Sequence, residues 1–97
     1  MASLRFTWDP AKARANLAKH GISFEEAETV FSDEDAMLVP DPEHSAAEER
    51  FILLGLSVAL RVLVVVHCEP QPGGAVRLIS ARRATRSERG QYAARGK

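Results

Sequence analysis

Three apolar runs in the second half of the chain, Arg50–Ser57, Arg61–Cys68 and Ala75–Arg82, constrain its fold more than any other feature. They are rich in valine and isoleucine, whose branched side chains suit a pleated, half-buried surface. Three residues separate the first pair, and a segment holding two prolines and Gly73-Gly74 separates the second. Gaps of that kind make hairpins, so the runs predict an antiparallel meander. A shorter apolar run, Ala36–Val39, stopped by Pro40, brings the meander to three or four strands. With 97 residues there is material for a single domain spanning 1–97.

The first half reads as helix. Leu4–Trp8 alternates apolar and polar residues and predicts a short strand. Asp9-Pro10 then supplies an N-cap and a proline at the first helical position, and Gly21 stops a helix over Ala11–His20. Ser23 and Glu26 form a capping box for a second helix over Phe24–Phe31, with Phe24, Ala27, Val30 and Phe31 on its core face. Thr85 and Glu88 form another, opening a last helix to about Ala94. The expected fold class is α+β: strand, two helices, a three- to four-stranded antiparallel meander and a C-terminal helix.

Register follows from the turns. A tight turn near Ala59 pairs Leu56 with Val62 and Phe51 with His67. A loop from Glu69 to Gly74 pairs Cys68 with Val76, His67 with Arg77 and Arg61 with Arg83. On that register His67 lies five residues, roughly 16 Å, from the level of Arg82 and Arg83.

Thirteen basic and thirteen acidic residues cancel, but the signs are sorted along the chain. Residues 25–49 hold ten acids and no base, whereas residues 50–97 hold nine bases and two acids. Six of those cations fall in the last sixteen residues, mostly as arginine, the side chain suited to bidentate contact with phosphate. Such sorting points to a polyanion on the basic face, or to cancellation between the two regions. Cys68 is the only cysteine, so an internal disulfide is excluded and a reducing, cytoplasmic setting is expected. No apolar run reaches 18 residues, so neither a membrane span nor a membrane partner is expected. No glycine-rich nucleotide loop and no metal-ligand spacing occur, so the expected cofactor is none.

Arg61, Arg82 and Arg83 are expected at one edge of the sheet, with Arg86 and Arg89 continuing into the last helix and Tyr92 one turn beyond Glu88. Clustered guanidinium groups repel unless an anion joins them, so they either take a polyanion or pair with the acidic region. Strand alternation sends Arg82 and Arg83 to opposite faces, so one meets substrate while the other braces a carboxylate or the helix. His20 reads as a cation favouring the helix dipole or as a functional group, with Lys19 beside it. His67 is either an acid–base group or a satisfied half-buried histidine. Cys68 and Trp8 read as core residues, and His44 as a solvated loop residue.

The segments Phe6-Thr7-Trp8-Asp9-Pro10-x-Lys12, Lys19-His20-Gly21-Ile22-Ser23-Phe24-Glu25-Glu26-Ala27, Glu49-Arg50 and Arg77-Leu78-Ile79-Ser80-Ala81-Arg82-Arg83-Ala84-Thr85, with Glu88 and Tyr92, resemble the BrnT family of bacterial toxins. The likeness runs from about residue 4 to 94. It implies a RelE-like fold and a ribonuclease that halts translation by cutting RNA, on the ribosome or free of it. It also implies a BrnA-type antitoxin, whose complex with the toxin binds operator DNA. The chemistry expected is metal-independent attack of the substrate's own 2′-hydroxyl on the adjacent phosphate. Arg82 and Arg83 are the expected phosphate and charge-stabilising residues, with His67 and Tyr92 as further catalytic candidates. Arg61, Lys19, His20, Arg86 and Glu88 are expected at the substrate. The alternatives are a non-catalytic module that grips RNA or the ribosome and an assembly subunit of a DNA-binding repressor complex. Two positions depart from the family pattern. The turn Ser57-Val58-Ala59-Leu60-Arg61 lacks glycine, and Cys68 stands where a hydroxyl residue is usual.

Overall fold

A computed structural model describes residues 4–41, 49–69 and 74–95. The elements are β1 (Phe6–Thr7), α1 (Pro10–His20), α2 (Phe24–Thr29) with a 3-10 turn over Val30–Ser32, β2 (Met37–Pro40), β3 (Phe51–Leu56), β4 (Val62–Cys68), β5 (Val76–Arg83) and α3 (Arg86–Ala94). The α+β class, the order of elements and the four-stranded antiparallel meander agree with the sequence. One feature differs: β1 joins β5 in parallel, giving a five-stranded mixed sheet of order β1-β5-β4-β3-β2. A parallel pairing needs a long crossover, which leaves no local signal between Thr7 and Val76. The loop at residues 42–48, with His44, and the turn at residues 70–73 lie outside the described residues.

Local chemistry sets the helix ends. The Asp9 carboxylate accepts from the Ala11 amide at 2.8 Å, Pro10 opens α1, and Gly21 closes it at φ 71°, donating to the Leu17 carbonyl at 2.9 Å. α2 is shorter than expected, because the Phe24–Phe31 face passes into the 3-10 turn after Thr29. Its first turn is held by the Ser23 hydroxyl alone, which accepts from the Glu26 amide at 3.0 Å. The expected return bond from Glu26 does not form, since that carboxylate is engaged elsewhere.

The two faces of the sheet are covered unequally. Ile22, Phe24, Ala27 and Val30 are fully buried against Leu53, Leu63, Val65, Val76, Leu78 and Ala81 on the face under α1 and α2. Burying such side chains contributes about 1.5–3 kcal/mol each. Trp8 stacks edge-to-face on Phe24 at 5.8 Å, the core role expected of it. The opposite face carries a smaller cluster of Leu54, Val64 and Ala84, on which α3 rests through Tyr92. Gly55 lets this arrangement close up, because a Cβ there would lie 2.8 Å from Val30 Cγ1 and 2.9 Å from Ala36 Cβ.

The β3–β4 register is the expected one, Leu56 opposite Val62 and Phe51 opposite His67. The turn between them manages without glycine by placing Leu60 at φ 63°, with its amide donating to the Ser57 carbonyl at 2.9 Å. The β4–β5 register is displaced from expectation. Cys68 sits opposite Arg77 and His67 opposite Leu78, and a bulge between Val66 and His67 then brings Val64 opposite Arg82 and Leu63 opposite Arg83. Bulges insert an unpaired residue that turn chemistry cannot announce. The level of Arg82 is therefore three residues from His67, about 10 Å rather than 16 Å.

Candidate functional site

Alternation along β5 decides the two arginines. Arg82 opposes Val64 on the α3 face, and Arg83 opposes Leu63 on the face of α1 and α2. Arg82 is bidentate on Glu88, at 2.9 and 3.0 Å, and also donates to the Arg83 carbonyl at 3.2 Å. Glu88 accepts from the Thr85 amide at 2.7 Å while the Thr85 hydroxyl accepts from the Glu88 amide, so the expected capping box is complete. The Arg82 guanidinium, foremost, holds the Glu88 carboxyl down at about 2. Arg82 is thus the brace, fastening β5 to the first turn of α3.

Arg83 is exposed, and its guanidinium makes no hydrogen bond or ion pair among the described residues. Its neighbour Arg61 is committed instead, bidentate on Glu26, with Nε at 3.0 Å from Oε2 and Nη2 on Oε1. The Ser57 hydroxyl donates to the same carboxylate at 2.6 Å. The hydrogen bond from Arg61 is the main cause that keeps Glu26 ionised below the usual carboxylate range, and the Arg83 charge adds to it. The expected convergence of Arg61, Arg82 and Arg83 is therefore split. Arg61 and Arg83 share one face at that end of the sheet, and Arg82 serves the other.

Asn16 ties α1 to this end. Its side-chain amide donates to the Ala81 carbonyl at 2.8 Å and to the Ile22 carbonyl at 2.9 Å, and its oxygen accepts from the Ala81 amide at 3.0 Å. β1 covers β5 only at Val76 and Arg77, so the edge of β5 at Ala81 has no strand neighbour. The Asn16 amide stands in for one, satisfying both backbone groups. His20 lies one turn beyond Asn16 on the same helix face, half-buried, and Ala81 is two residues before Arg83. Lys19 is exposed in the same last turn. Arg86 is exposed in the first turn of α3, the helix of the opposite face.

The remaining candidates have other surroundings. The Tyr92 hydroxyl donates to Asp33 Oδ2 at 2.6 Å, and that bond is the main reason its ionisation is pushed up to about 12. Burial works to raise the Asp33 pKa, but Tyr92 and the Leu56 and Asp35 amides hold the carboxyl below its usual range. Tyr92 and the Arg95–Asp35 pair at 3.5 Å latch α3 to the turn before β2. His67 is completely buried, edge-to-face with Phe31 at 4.8 Å and tilted against Phe51 at 6.3 Å. Its ring nitrogens make no hydrogen bond, although Glu69 Oε2 lies 3.4 Å from Nε2. Burial holds its pKa below the ordinary histidine value. Cys68 is half-buried, with Arg77 Nη2 at 3.5 Å from its sulfur. Among the described residues no group of three histidine, cysteine, aspartate or glutamate side chains could hold a metal. None of the described helices is long and apolar enough to cross a membrane.

Sequence reasoning did not single out Asn16, Asp33 or Glu26 for this site. The only signal was for Glu26, as a cap residue, and its carboxylate is diverted to a partner 35 positions away.

The end of the sheet thus carries two arginine–carboxylate braces, one on each face, with the unpaired Arg83 guanidinium on the face of the Arg61–Glu26 brace. Such a site can hold a phosphate and stabilise charge developing on it. Residues 8–88 match the family described as ribonuclease toxin, BrnT, of type II toxin-antitoxin system. The fold is similar to the crystal structure of the Brucella abortus ribonuclease toxin BrnT, with a TM-score of 0.67 and 26% identity, over 87% of this chain and 100% of that one. No curated protein matches the sequence.

Proposed function

The chain belongs to the BrnT family of ribonuclease toxins of type II toxin-antitoxin systems, and from that premise we propose a metal-independent endoribonuclease that cuts RNA through the substrate's own 2′-hydroxyl. The observation that carries this reading is the unpaired Arg83 guanidinium beside the Arg61–Glu26 brace. In the reaction a base takes the 2′-hydroxyl proton and the oxygen attacks the adjacent phosphorus. The bond to the 5′-oxygen breaks, and an acid returns a proton to that leaving group. The products are a 2′,3′-cyclic phosphate and a 5′-hydroxyl.

Arg83 stabilises the charge gathering on the phosphoryl oxygens; a preorganised donor of this kind contributes about 3–4 kcal/mol. Lys19 holds a neighbouring backbone phosphate. His20, half-buried at the end of α1, is the acid–base group, adding roughly 10²–10⁴ in rate. Arg82 acts through Glu88 as a positioning residue, and Arg86 extends the basic surface for RNA. His67, buried between two phenylalanines, keeps its ring away from solvent, and Tyr92 is spent on Asp33. Cutting of messenger RNA in the cytoplasm would stop translation, and a BrnA-type antitoxin, which carries the operator-binding activity of the complex, would neutralise it.

The test is incubation of the purified chain with single-stranded RNA in excess EDTA, beside a copy carrying 2′-deoxy substitutions. Cleavage of the unmodified RNA alone, ending in cyclic phosphate, is the expected result. Equal cleavage of both copies refutes attack by the 2′-hydroxyl. Retained binding of both copies without cleavage, on free RNA and on translating ribosomes, replaces the enzyme with an RNA-binding module.

A further inference from the structure

Among the described residues β2 is the terminal strand of the sheet, short and closed by Pro40 but without charge over Met37–Val39. Strand edges are ordinarily blunted by charge or by a covering element. Met37-Leu38-Val39 carries no charge, and Leu38 and Val39 are 49% and 44% exposed. Each faces a cavity. Leu38 lies beside Leu53 on the α1 and α2 face, where about 580 Å³ opens among Phe31, Leu38, Leu53, His67 and Val76, with Asp33 and Glu69 in its wall. Val39 lies beside Ile52 on the opposite face, where about 160 Å³ opens among Met37, Val39, Ile52, Leu54 and Val64, with Glu88 in its wall.

Two cavities on opposite faces of one edge strand suit one kind of occupant. A strand added alongside β2 sends successive side chains to alternate faces, so its neighbouring residues would enter one cavity and then the other. Backbone pairing would satisfy the edge, and the two pockets would set the register. Glu69 in the wall of the larger cavity and Glu34 just before β2, neither held by an arginine or lysine among the described residues, ask for basic residues in or beside that strand. The same charge argues against RNA there. It argues also against a second copy of this chain, since residues 25–49 hold ten acids and no base.

We propose that the β2 edge is the docking site for an extended segment of the antitoxin, with apolar side chains on both faces of that segment and basic residues flanking them. This inference rests on the toxin–antitoxin reading. The surface is separate from the Arg83 site, so capture there leaves the basal machinery intact and acts by holding the partner on the molecule.

The test takes the full chain with the protein encoded beside it in the same operon. Hydrogen exchange should show new protection at the Leu38 amide on binding, because alternation leaves that N–H facing outward while those of Met37 and Val39 already pair with β3. Leu38→Lys and Val39→Lys should each weaken the complex at least about 30-fold, the scale of an interface hot spot. Leu17→Lys, at an exposed leucine on α1 away from this strand, should leave binding unchanged. Glu34→Lys should slow association and flatten its salt dependence. Leu38→Lys should also cut RNA normally when alone and stay active when the neighbouring protein is added. Should Leu38→Lys fail to fold, exchange on the unmodified chain and Val39→Lys decide the matter. Tight binding with no new protection at the Leu38 amide overturns the docking site and leaves the toxin reading standing. No binding at all removes the antitoxin reading, and the inference with it. Concentration-dependent dimers abolished by Leu38→Lys overturn the choice of partner in favour of self-pairing.

Discussion

Replacing Asn16 tests whether one side chain holds the first helix to the Ala81–Arg83 end of β5. Asn16 is 7% exposed and makes three hydrogen bonds, two of them to the backbone of Ala81, which is fully buried. Removing one partner of a buried hydrogen bond leaves the other unsatisfied, at about 1–3 kcal/mol each. Counting the two Ala81 groups alone, Asn16→Ala should therefore lose about 2–6 kcal/mol, a large share of a typical 5–15 kcal/mol. Asn16→Asp carries a sharper signature. Its carboxylate keeps the bond from the Ala81 amide but faces two carbonyl oxygens, so the folded state favours the protonated acid. The folded pKa of the introduced carboxyl then lies above the unfolded value near 4. Stability relative to the wild type is best below that unfolded value and is lost as pH rises through the folded one. The assay is urea unfolding of wild type, Asn16→Ala and Asn16→Asp at pH 4 and pH 7, read as midpoint differences at constant slope. The expected result is an Asn16→Asp deficit that is larger at pH 7 than at pH 4, beside a pH-independent deficit for Asn16→Ala. An Asn16→Ala loss below about 1 kcal/mol, or an Asn16→Asp deficit flat with pH, would show that Asn16 does not hold α1 to β5.

Arg83→Ala should abolish RNA cleavage while shifting stability by no more than about 0.5 kcal/mol, as checked by melting and a cleavage assay. Arg82→Ala should also lower stability, by about 0.5–1 kcal/mol, because the partly exposed Glu88 loses its brace. His67 has its pKa lowered by burial, so the stability it contributes is present above the unfolded value, about 6.5, and is lost as pH falls through the folded value. His67→Phe should remove that decline between neutral and mildly acidic pH, measured by urea midpoints; an unchanged profile would exclude His67 as its source. Leu60→Gly should raise the melting temperature through a gain of roughly 0.5–1 kcal/mol, since an exposed leucine now occupies a left-handed turn position.

Much of the fold was legible because its signals are local. Asp9-Pro10 and Gly21 bound α1, Thr85 and Glu88 open α3, and the short turn at Ala59 fixes the β3–β4 register. Each involves groups within a few residues of one another, so neighbouring chemistry suffices. Alternation also established that Arg82 and Arg83 face opposite ways. It did not say which is paired, because Glu88 belongs to the next element and can close on only one of them.

What tertiary structure alone decided depends on groups far apart in sequence. The parallel β1–β5 pairing and the Val66–His67 bulge set which residues share a level, and no turn encodes either. Glu26 reads as a cap until Arg61 and Ser57 arrive beside it. Asn16 is an ordinary helix residue until β5 presents an uncovered edge at Ala81, and Tyr92 is one of several basic-face neighbours until it meets Asp33. The α+β order, the basic end and the acidic region could be read without coordinates, because composition and short-range periodicity carry them. Packing then decided which arginine was left unpaired, since only the folded chain matches each guanidinium to its carboxylate.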